Sequence, residues 1–130
     1  MEVSLLILLA EDEALIALTI EDALEEAGFA VHHVLAGEDA LEALERHDHG
    51  ISGIITDINL QGAIDGWAIA RKAREILPNI PVAYMSGTSA HEHSSLGVPD
   101  SVMIQKPFLP AQIITAISTL LNALPPQPAG

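Results

Sequence analysis

The chain of 130 residues has the length of a single domain, and its hydrophobic content of 49% excludes a wholly disordered protein. It contains no cysteine, which excludes disulfide bonds, thiolate metal sites and cysteine nucleophiles. The longest apolar run, residues 5–10, is much shorter than the ~20 residues of a membrane span, and the first residues lack the basic segment of a signal peptide. We therefore expect a soluble, cytoplasmic protein without a membrane partner.

The charge is strongly negative and unevenly distributed. Five basic residues against eighteen acidic ones give a net charge of −13, which disfavours binding to the phosphate backbone of nucleic acids. Residues 1–65 hold fifteen of the acids and one base, whereas residues 66–130 hold three acids and four bases. This asymmetry suits either a site that binds a cation or a solvated acidic surface, and for most of the acids we favour the surface.

Apolar runs and helical repeats alternate along the chain, which predicts buried strands separated by amphipathic helices. In chain order the predicted elements are strand 5–10, helix 13–27, strand 30–35, helix 38–47, strand 53–57, helix 66–77, strand 81–85, strand 101–105 and helix 109–124. The polar segment 88–100 contains Gly97 and Pro99 and has room for at most a short helix. The proline-rich residues 125–130 are predicted to be a disordered tail, which leaves one domain over residues 1–124.

This alternation of elements predicts the fold. Five βα units in series favour an α/β domain, with a doubly wound five-stranded parallel sheet and helices on both faces, because each crossover has to be right-handed. In such sheets ligands bind beyond the carboxyl ends of the strands. Polar residues at the strand ends therefore form the candidate site.

The polar side chains at four strand ends fit one kind of chemistry. The first strand is followed by Glu11 and Asp12, the third ends at Asp57, and the fourth and fifth lead into Ser86 and Lys106. Carboxylates about 4 Å apart repel by roughly 4 kcal/mol at an effective dielectric of 20, so a cluster of three needs positive charge nearby. Lys106 supplies one charge, and the oxygen-rich remainder suits Mg²⁺.

Carboxylates for a hard cation, beside a lysine and a serine, indicate a site for a phosphoryl group. Mg²⁺ and Lys106 would neutralise the oxygens of the transferring group while a carboxylate attacks in line. Asp57 is the best nucleophile because it ends the central third strand, with Asn59 two residues further on. Glu11 and Asp12 are better placed to act as metal ligands.

Five short motifs lie in order at these strand ends. They are Glu11-Asp12, Thr56-Asp57-Ile58-Asn59, Asp65-Gly66, Ser86-Gly87 and Lys106-Pro107-Phe108. Each is weak alone, but together they are specific, and over about residues 4–124 the chain resembles the receiver domain of two-component response regulators. The resemblance implies a flavodoxin-like (βα)5 fold and a stand-alone phosphoprotein of signal transduction or a phosphorelay.

The resemblance also implies a role for each residue at the acidic end of the site. Asp57 would be the phosphoacceptor, Asp12 would bind Mg²⁺ directly, and Glu11 would bind it through water. The backbone carbonyl of Asn59 would be a further ligand, so the implied metal site comprises Glu11, Asp12, Asp57 and Asn59.

Ser86 and Lys106 complete the implied site. Ser86 would hydrogen-bond the phosphoryl group on Asp57, Lys106 would pair with its oxygens, and the Lys106–Pro107 peptide bond would be cis. The implied phosphoryl donor is a histidine kinase or a phosphotransfer protein, and the implied output is binding to a downstream protein. The domain would assist its own phosphorylation and dephosphorylation with Mg²⁺ as cofactor, without being a turnover enzyme.

Four features depart from the family's pattern. Glu11 replaces the commoner Asp, and the loop 61–64 lacks the usual proline and is one residue longer. Met103 stands where the family usually has an aromatic switch residue, and the segment between Ser86 and Lys106 is short for a regular fourth helix. We therefore expect phosphorylation to reorganise mainly residues 86–100, with little contribution from Met103.

Two other functions are alternatives to the phosphoacceptor. A phosphatase of the haloacid dehalogenase type also uses an aspartate nucleophile at a strand end, but it needs an acid two residues later, where this chain has Asn59. A scaffold that keeps the fold and no longer accepts phosphate is the second alternative, against which the intact Asp57, Asp12 and Lys106 argue.

Pairs of histidines at positions 32/33, 47/49 and 91/93 raise the alternative of a second metal site. The pairs at 47/49 and 91/93 lie in polar segments without a third ligand, so we favour solvated side chains.

Overall fold

The computed structural model describes residues 4–46 and 50–124 of the chain. Its elements are β1 (Leu6–Ala10), α1 (Ala14–Glu26), β2 (Ala30–Val34), α2 (Gly37–Arg46), β3 (Ile51–Asp57), α3 (Gly66–Ile76), β4 (Val82–Ser86), a 3-10 turn (Ala90–Glu92), α4 (His93–Leu96), β5 (Val102–Gln105) and α5 (Pro110–Asn122). The predicted tail 125–130 and the histidines at 47 and 49 lie outside the described residues.

The five strands form one parallel sheet in the order β2-β1-β3-β4-β5. The predicted fold class is therefore confirmed. The chain runs outward from β1 to β2 and then returns to the other side of β1 to form β3. The strand order reverses between β1 and β3, and a crevice opens at their carboxyl ends, as in other doubly wound sheets. This reversal places the residues after β1 beside those at the end of β3.

Two apolar layers cover the two faces of the sheet. Along β1, Leu8 and Ala10 belong to the layer with α2 and α3, whereas Ile7 and Leu9 belong to the layer with α1 and α5. All four side chains are fully buried, which explains why this strand is a continuous apolar run rather than an alternating one. The sheet is thus a rigid platform beneath the strand-end residues.

The elements differ from the predicted bounds chiefly at their ends. The third strand begins at Ile51 rather than at residue 53, because Ile51 pairs with Leu6 next to an irregularity in the register with β1. Each predicted helix is one to three residues shorter or shifted, as with α5, which starts at Pro110 and ends at Asn122. Proline suits the first turn of a helix because the missing N–H has no partner there.

The segment between β4 and β5 is as short as predicted. It holds the 3-10 turn and the single turn of α4, and neither contains a buried residue. The Lys106–Pro107 peptide bond after β5 is cis, also as predicted. Among residues 4–46 and 50–124, no helix combines the length and the apolar character needed to cross a membrane.

The junction between β3 and α3 is closely packed around a glycine. Asp65 caps α3 by accepting a hydrogen bond from the backbone N–H of Ala68 at 2.9 Å. A Cβ on the next residue, Gly66, would collide with the carbonyl oxygen of Asp57 and lie 2.9 Å from the Cα of Ile58. The Asp-Gly motif therefore starts the helix and lets its first turn approach the end of β3.

We predict that Gly66→Ala destabilises the protein by about 1–3 kcal/mol, because the added methyl group must displace the backbone of β3. Urea unfolding would measure this loss. Gly87→Ala is the matched control, since the nearest atom to its new Cβ would be the Cβ of Lys106 at 3.9 Å. Equal stability of the two variants would contradict the close approach of α3 to Asp57.

Candidate functional site

Three carboxylates converge at the carboxyl ends of β1 and β3. Glu11 and Asp12 follow β1, and Asp57 is the last residue of β3. One carboxylate oxygen from each of the three lies within 4.8 Å of the others. Glu11 is fully buried and Asp57 is 5% exposed, while Asp12 lies partly open to solvent. The predicted acidic cluster therefore exists, with Asp12 as its most accessible member.

Lys106 joins two of these acids. Its Nζ lies 3.2 Å from Oε1 of Glu11 and 3.2 Å from Oδ2 of Asp57, and it donates a hydrogen bond to each. The lysine side chain is 20% exposed, so most of it is buried beside the acids. One ammonium against three carboxylates leaves the cluster with excess negative charge.

The pKa values of Glu11 and Lys106 are both raised. The pKa of Glu11 is raised from 4.5 to about 7. Burial is the largest cause and the negative charge of Asp57 adds to it, while the Glu13 N–H and Lys106 act in the opposite direction. Burial opposes the charge on Lys106, but the carboxylates of Asp57 and Glu11 together outweigh it and raise the pKa of this lysine. Lys106 is therefore charged, while burial disfavours the ionised form of Glu11.

The edge strand β2 supports Glu11 from the side. The Glu11 backbone N–H donates to the carbonyl of Val34 at 3.1 Å, and Nε2 of His33 bonds the Glu11 carbonyl at 2.8 Å. Because a carbonyl only accepts, this histidine nitrogen is the donor. Sequence reasoning missed the contact, since it joins residues 22 positions apart that become neighbours only through the sheet.

Ser86 is fully buried at the end of β4, and its hydroxyl faces its own loop. Its Oγ accepts hydrogen bonds from the backbone N–H groups of Thr88 at 3.1 Å and Ser89 at 2.7 Å. Asn59 is exposed, and its side-chain amide donates to Oγ1 of Thr88 at 3.2 Å, so the loops after β3 and β4 touch above the acids. The roles predicted for Ser86 and for the Asn59 carbonyl stay predictions.

A cleft of about 360 Å³ opens above the acidic cluster. It is lined by Asp12, Glu13, Asp57, Asn59, Gln61, Gly87, Thr88 and Lys106. Four of the predicted site residues thus face one cavity. Ser86 and Glu11 lie behind it, with Ser86 holding the loop that supplies Thr88.

The prediction of solvated side chains, made for the pairs at 47/49 and 91/93, is wrong for His93, and His33 of the remaining pair is engaged as well. His33 bonds the Glu11 carbonyl, and Nε2 of the partly buried His93 lies 2.9 Å from Oγ of Ser101. Within the described part of the chain, the acidic and histidine side chains close enough to share a metal ion are those of Glu11, Asp12 and Asp57. The structure of residues 4–46 and 50–124 therefore gives no support to a histidine metal site.

Residues 7–118 match the sequence profile of the family described as response regulator receiver domain. The chain is a receiver domain of the response regulator family. A curated relative, the response regulator receiver protein CpdR of Brucella abortus, is 32% identical over 119 residues, which cover 90% of this chain and 97% of that protein. The chain also matches parts of longer curated proteins, spanning 12% of one and about half of several others.

Solved structures agree with this assignment. The response regulator receiver protein from Sinorhizobium medicae is 50% identical, with a TM-score of 0.89 over 92% of this receiver domain and 96% of that chain. The receiver domain of the sensor histidine kinase PA1611 from Pseudomonas aeruginosa has a TM-score of 0.79 at 23% identity, covering 93% of this chain and all 100% of its own. That structure is described with a magnesium ion coordinated in the active site cleft.

For the metal-free receiver domain we predict that the free energy of unfolding falls as the pH rises from about 4.5 to about 7. Over this range Glu11 keeps its proton in the folded protein but has released it in the unfolded chain. The stabilisation is therefore complete below the pKa of Glu11 in the unfolded chain, and it is lost as the pH rises to the pKa in the folded protein. The difference between the two pKa values corresponds to about 3 kcal/mol. Chemical unfolding at a series of pH values would measure the slope.

Glu11→Gln is the matched variant for this pH series, because the amide keeps the shape of the side chain and cannot titrate. Its stability should depend less on pH over this window than that of the wild type. Two parallel profiles would show that Glu11 does not hold the shifted proton.

Proposed function

We propose that this receiver domain is a phosphoacceptor switch, phosphorylated on Asp57 by a histidine kinase or a phosphotransfer protein. The observation that carries the proposal is the position of Asp57. Its carboxylate is almost buried at the centre of the sheet edge, with the Lys106 ammonium 3.2 Å away and two further acids beside it. A carboxylate held next to a fixed cation is placed to accept a group that brings more negative charge.

The donor set fits Mg²⁺. Hard divalent cations take carboxylate, carbonyl and water oxygens, and the cluster has more negative charge than Lys106 neutralises. Both carboxylate oxygens of Glu11 already accept hydrogen bonds, from Lys106 and from the Glu13 N–H at 3.1 Å. This supports direct binding by Asp12 and Asp57, with Glu11 acting through water and Asn59 offering its backbone carbonyl. When bound, Mg²⁺ supplies positive charge that stabilises the phosphoryl oxygens.

The residues of the chain perform the transfer itself. A carboxylate oxygen of Asp57 attacks the phosphorus of a phosphohistidine, a P–O bond forms, and the P–N bond breaks as the imidazole leaves with its electron pair. Lys106 already contacts Asp57 and then pairs with the transferred oxygens. The product is an acyl phosphate, and neither Asn59 nor Thr88, which line the cleft beside Asp57, is an acid or a base able to activate an attacking water.

The same residues favour a stoichiometric acceptor over a phosphatase. A dehalogenase-type phosphatase needs an acid two residues beyond the nucleophile. Here that residue is Asn59, whose amide is engaged with Thr88. The family assignment also weighs against this alternative. We therefore propose a phosphoprotein that assists its own phosphorylation and dephosphorylation and signals by binding a downstream protein, since a net charge of −13 disfavours nucleic acid.

We expect a phosphodonor with Mg²⁺ to label the wild type on an acid-stable, alkali-labile acyl phosphate, and Asp57→Asn to remain unlabelled. Labelling and its decay would be followed by mass spectrometry of the intact protein. Continuous release of phosphate without a labelled intermediate would favour the phosphatase. A wild type that takes up no label would favour the scaffold.

We predict that Asp12→Ala abolishes Mg²⁺ binding and raises the melting temperature of the metal-free protein. The substitution removes a ligand and also relieves repulsion within the cluster, on the order of 1 kcal/mol, which corresponds to roughly 3–5 °C. Binding would be followed by NMR or by fluorescence of Trp67, which is buried one residue beyond Gly66.

Glu25→Ala is the control for this pair of measurements, because it removes one exposed acid outside the cluster. It should bind Mg²⁺ as the wild type does and change the melting temperature less than Asp12→Ala. Wild-type Mg²⁺ affinity in Asp12→Ala would contradict the proposed ligand set.

A further inference from the structure

The segment that follows β4 has almost no core of its own. The 3-10 turn and the single turn of α4 hold no buried residue, and Val98 is the first residue after Ser86 to be buried. An isolated helical turn is unstable in water, because forming it fixes several residues for one hydrogen bond. Specific side-chain contacts must therefore keep residues 87–98 in place.

His93 makes several such contacts at the start of α4. Its ring meets the ring of Tyr84 edge-on, with centroids 5.7 Å apart, and its Nε2 lies 2.9 Å from Oγ of Ser101. Ser101 donates its own proton to the Val98 carbonyl at 2.6 Å, so the histidine is the donor in this pair. The ring also packs directly on Gly97, where any Cβ would collide with it. His93 thus ties α4 to β4 and to the start of β5.

Tyr84 anchors this arrangement in the sheet. It is fully buried, its ring lies 4.7 Å from that of Trp67, and its hydroxyl accepts a hydrogen bond from the Val98 N–H at 3.1 Å. Its neighbour in the register of β5 is Met103. The aromatic side chain beneath α4 therefore comes from β4 in this protein, next to the methionine on β5.

The other end of the segment is held by Ser86. Its Oγ accepts from the N–H groups of Thr88 and Ser89, immediately before the 3-10 turn. The segment is thus fixed at two places, by Ser86 next to the acidic cluster and by His93 on Tyr84. If the Ser86 hydroxyl turns toward a phosphoryl group on Asp57, these two hydrogen bonds are strained or lost. The segment is then held only by the contacts of His93.

We propose that His93 is a latch that holds α4 in the resting conformation, and that phosphorylation of Asp57 opens it by withdrawing Ser86 from the loop. This inference rests on the proposed function, because the latch responds to the phosphoryl group. It assigns to His93, on the surface segment, the part that the family gives to an aromatic residue on β5. Release of residues 87–98 is then the change that a downstream protein recognises.

The test compares His93→Ala with the wild type in amide hydrogen exchange and in binding of beryllofluoride, a phosphoryl mimic, with Mg²⁺. Without the mimic, exchange at residues 89–98 should be about tenfold faster in the variant, the factor that one hydrogen bond and one ring contact represent. The variant should also bind the mimic about tenfold more tightly, because the latch no longer favours the resting state. Exchange in β1 and β3 should not change, which separates local release from global unfolding.

Three further variants make the comparison specific. His91→Ala removes an exposed histidine from the same segment and should behave as the wild type. His93→Gln keeps a donor near the position of Nε2 and should restore part of the slow exchange. Ser101→Ala removes the hydrogen-bond partner of His93 and should lose the slow exchange of the wild type.

The outcomes separate the two proposals. If the wild type binds the mimic and His93→Ala matches it in both affinity and exchange, the latch is wrong and the phosphoacceptor stands. If the wild type does not bind the mimic, the proposed function fails, and with it the coupling of His93 to Asp57. Faster exchange in His91→Ala as well as in His93→Ala would also overturn the latch, because it would show a general effect of altering the segment.

Discussion

The Lys106 ammonium between the carboxylates of Glu11 and Asp57 is the interaction on which the site depends. Without it, two buried acids would face each other with no cation, and ionisation of both would be strongly disfavoured. With it, Asp57 stays close to a fixed positive charge, while Glu11 retains the raised pKa of an acid that burial penalises. One lysine directly after β5 thus sets the electrostatics of Glu11, which follows β1, and of Asp57, which ends β3.

The fold makes this interaction possible by separating stability from reactivity. The two apolar layers stabilise the sheet, and every site residue follows or ends a strand at the same edge. A charged cluster is costly, so it persists only where a rigid structure holds its members in place. Two contacts provide this support. Gly66 lets α3 approach the end of β3, and His33 holds the backbone of Glu11.

The segment 87–98, which has few buried residues, lies next to the acidic cluster. Residues 87–98 contribute little buried surface, yet they begin at Ser86 and contribute Thr88 to the cleft. A change of charge at Asp57 therefore meets a segment that a few hydrogen bonds and ring contacts hold in place. Such a segment can change conformation while the sheet does not, because local opening costs less where few apolar contacts are broken.

The sequence by itself determined the order of strands and helices, the parallel sheet and the identity of Glu11, Asp12, Asp57 and Lys106 as neighbours. It could do so because these features depend on local periodicity and on one general rule, that the carboxyl ends of parallel strands share an edge. Only the tertiary structure decided which way Ser86 points, that His33 holds Glu11, and that Tyr84 and His93 meet beneath α4. Those contacts join residues on different elements, and side-chain direction across such distances is set by packing, which no local pattern encodes.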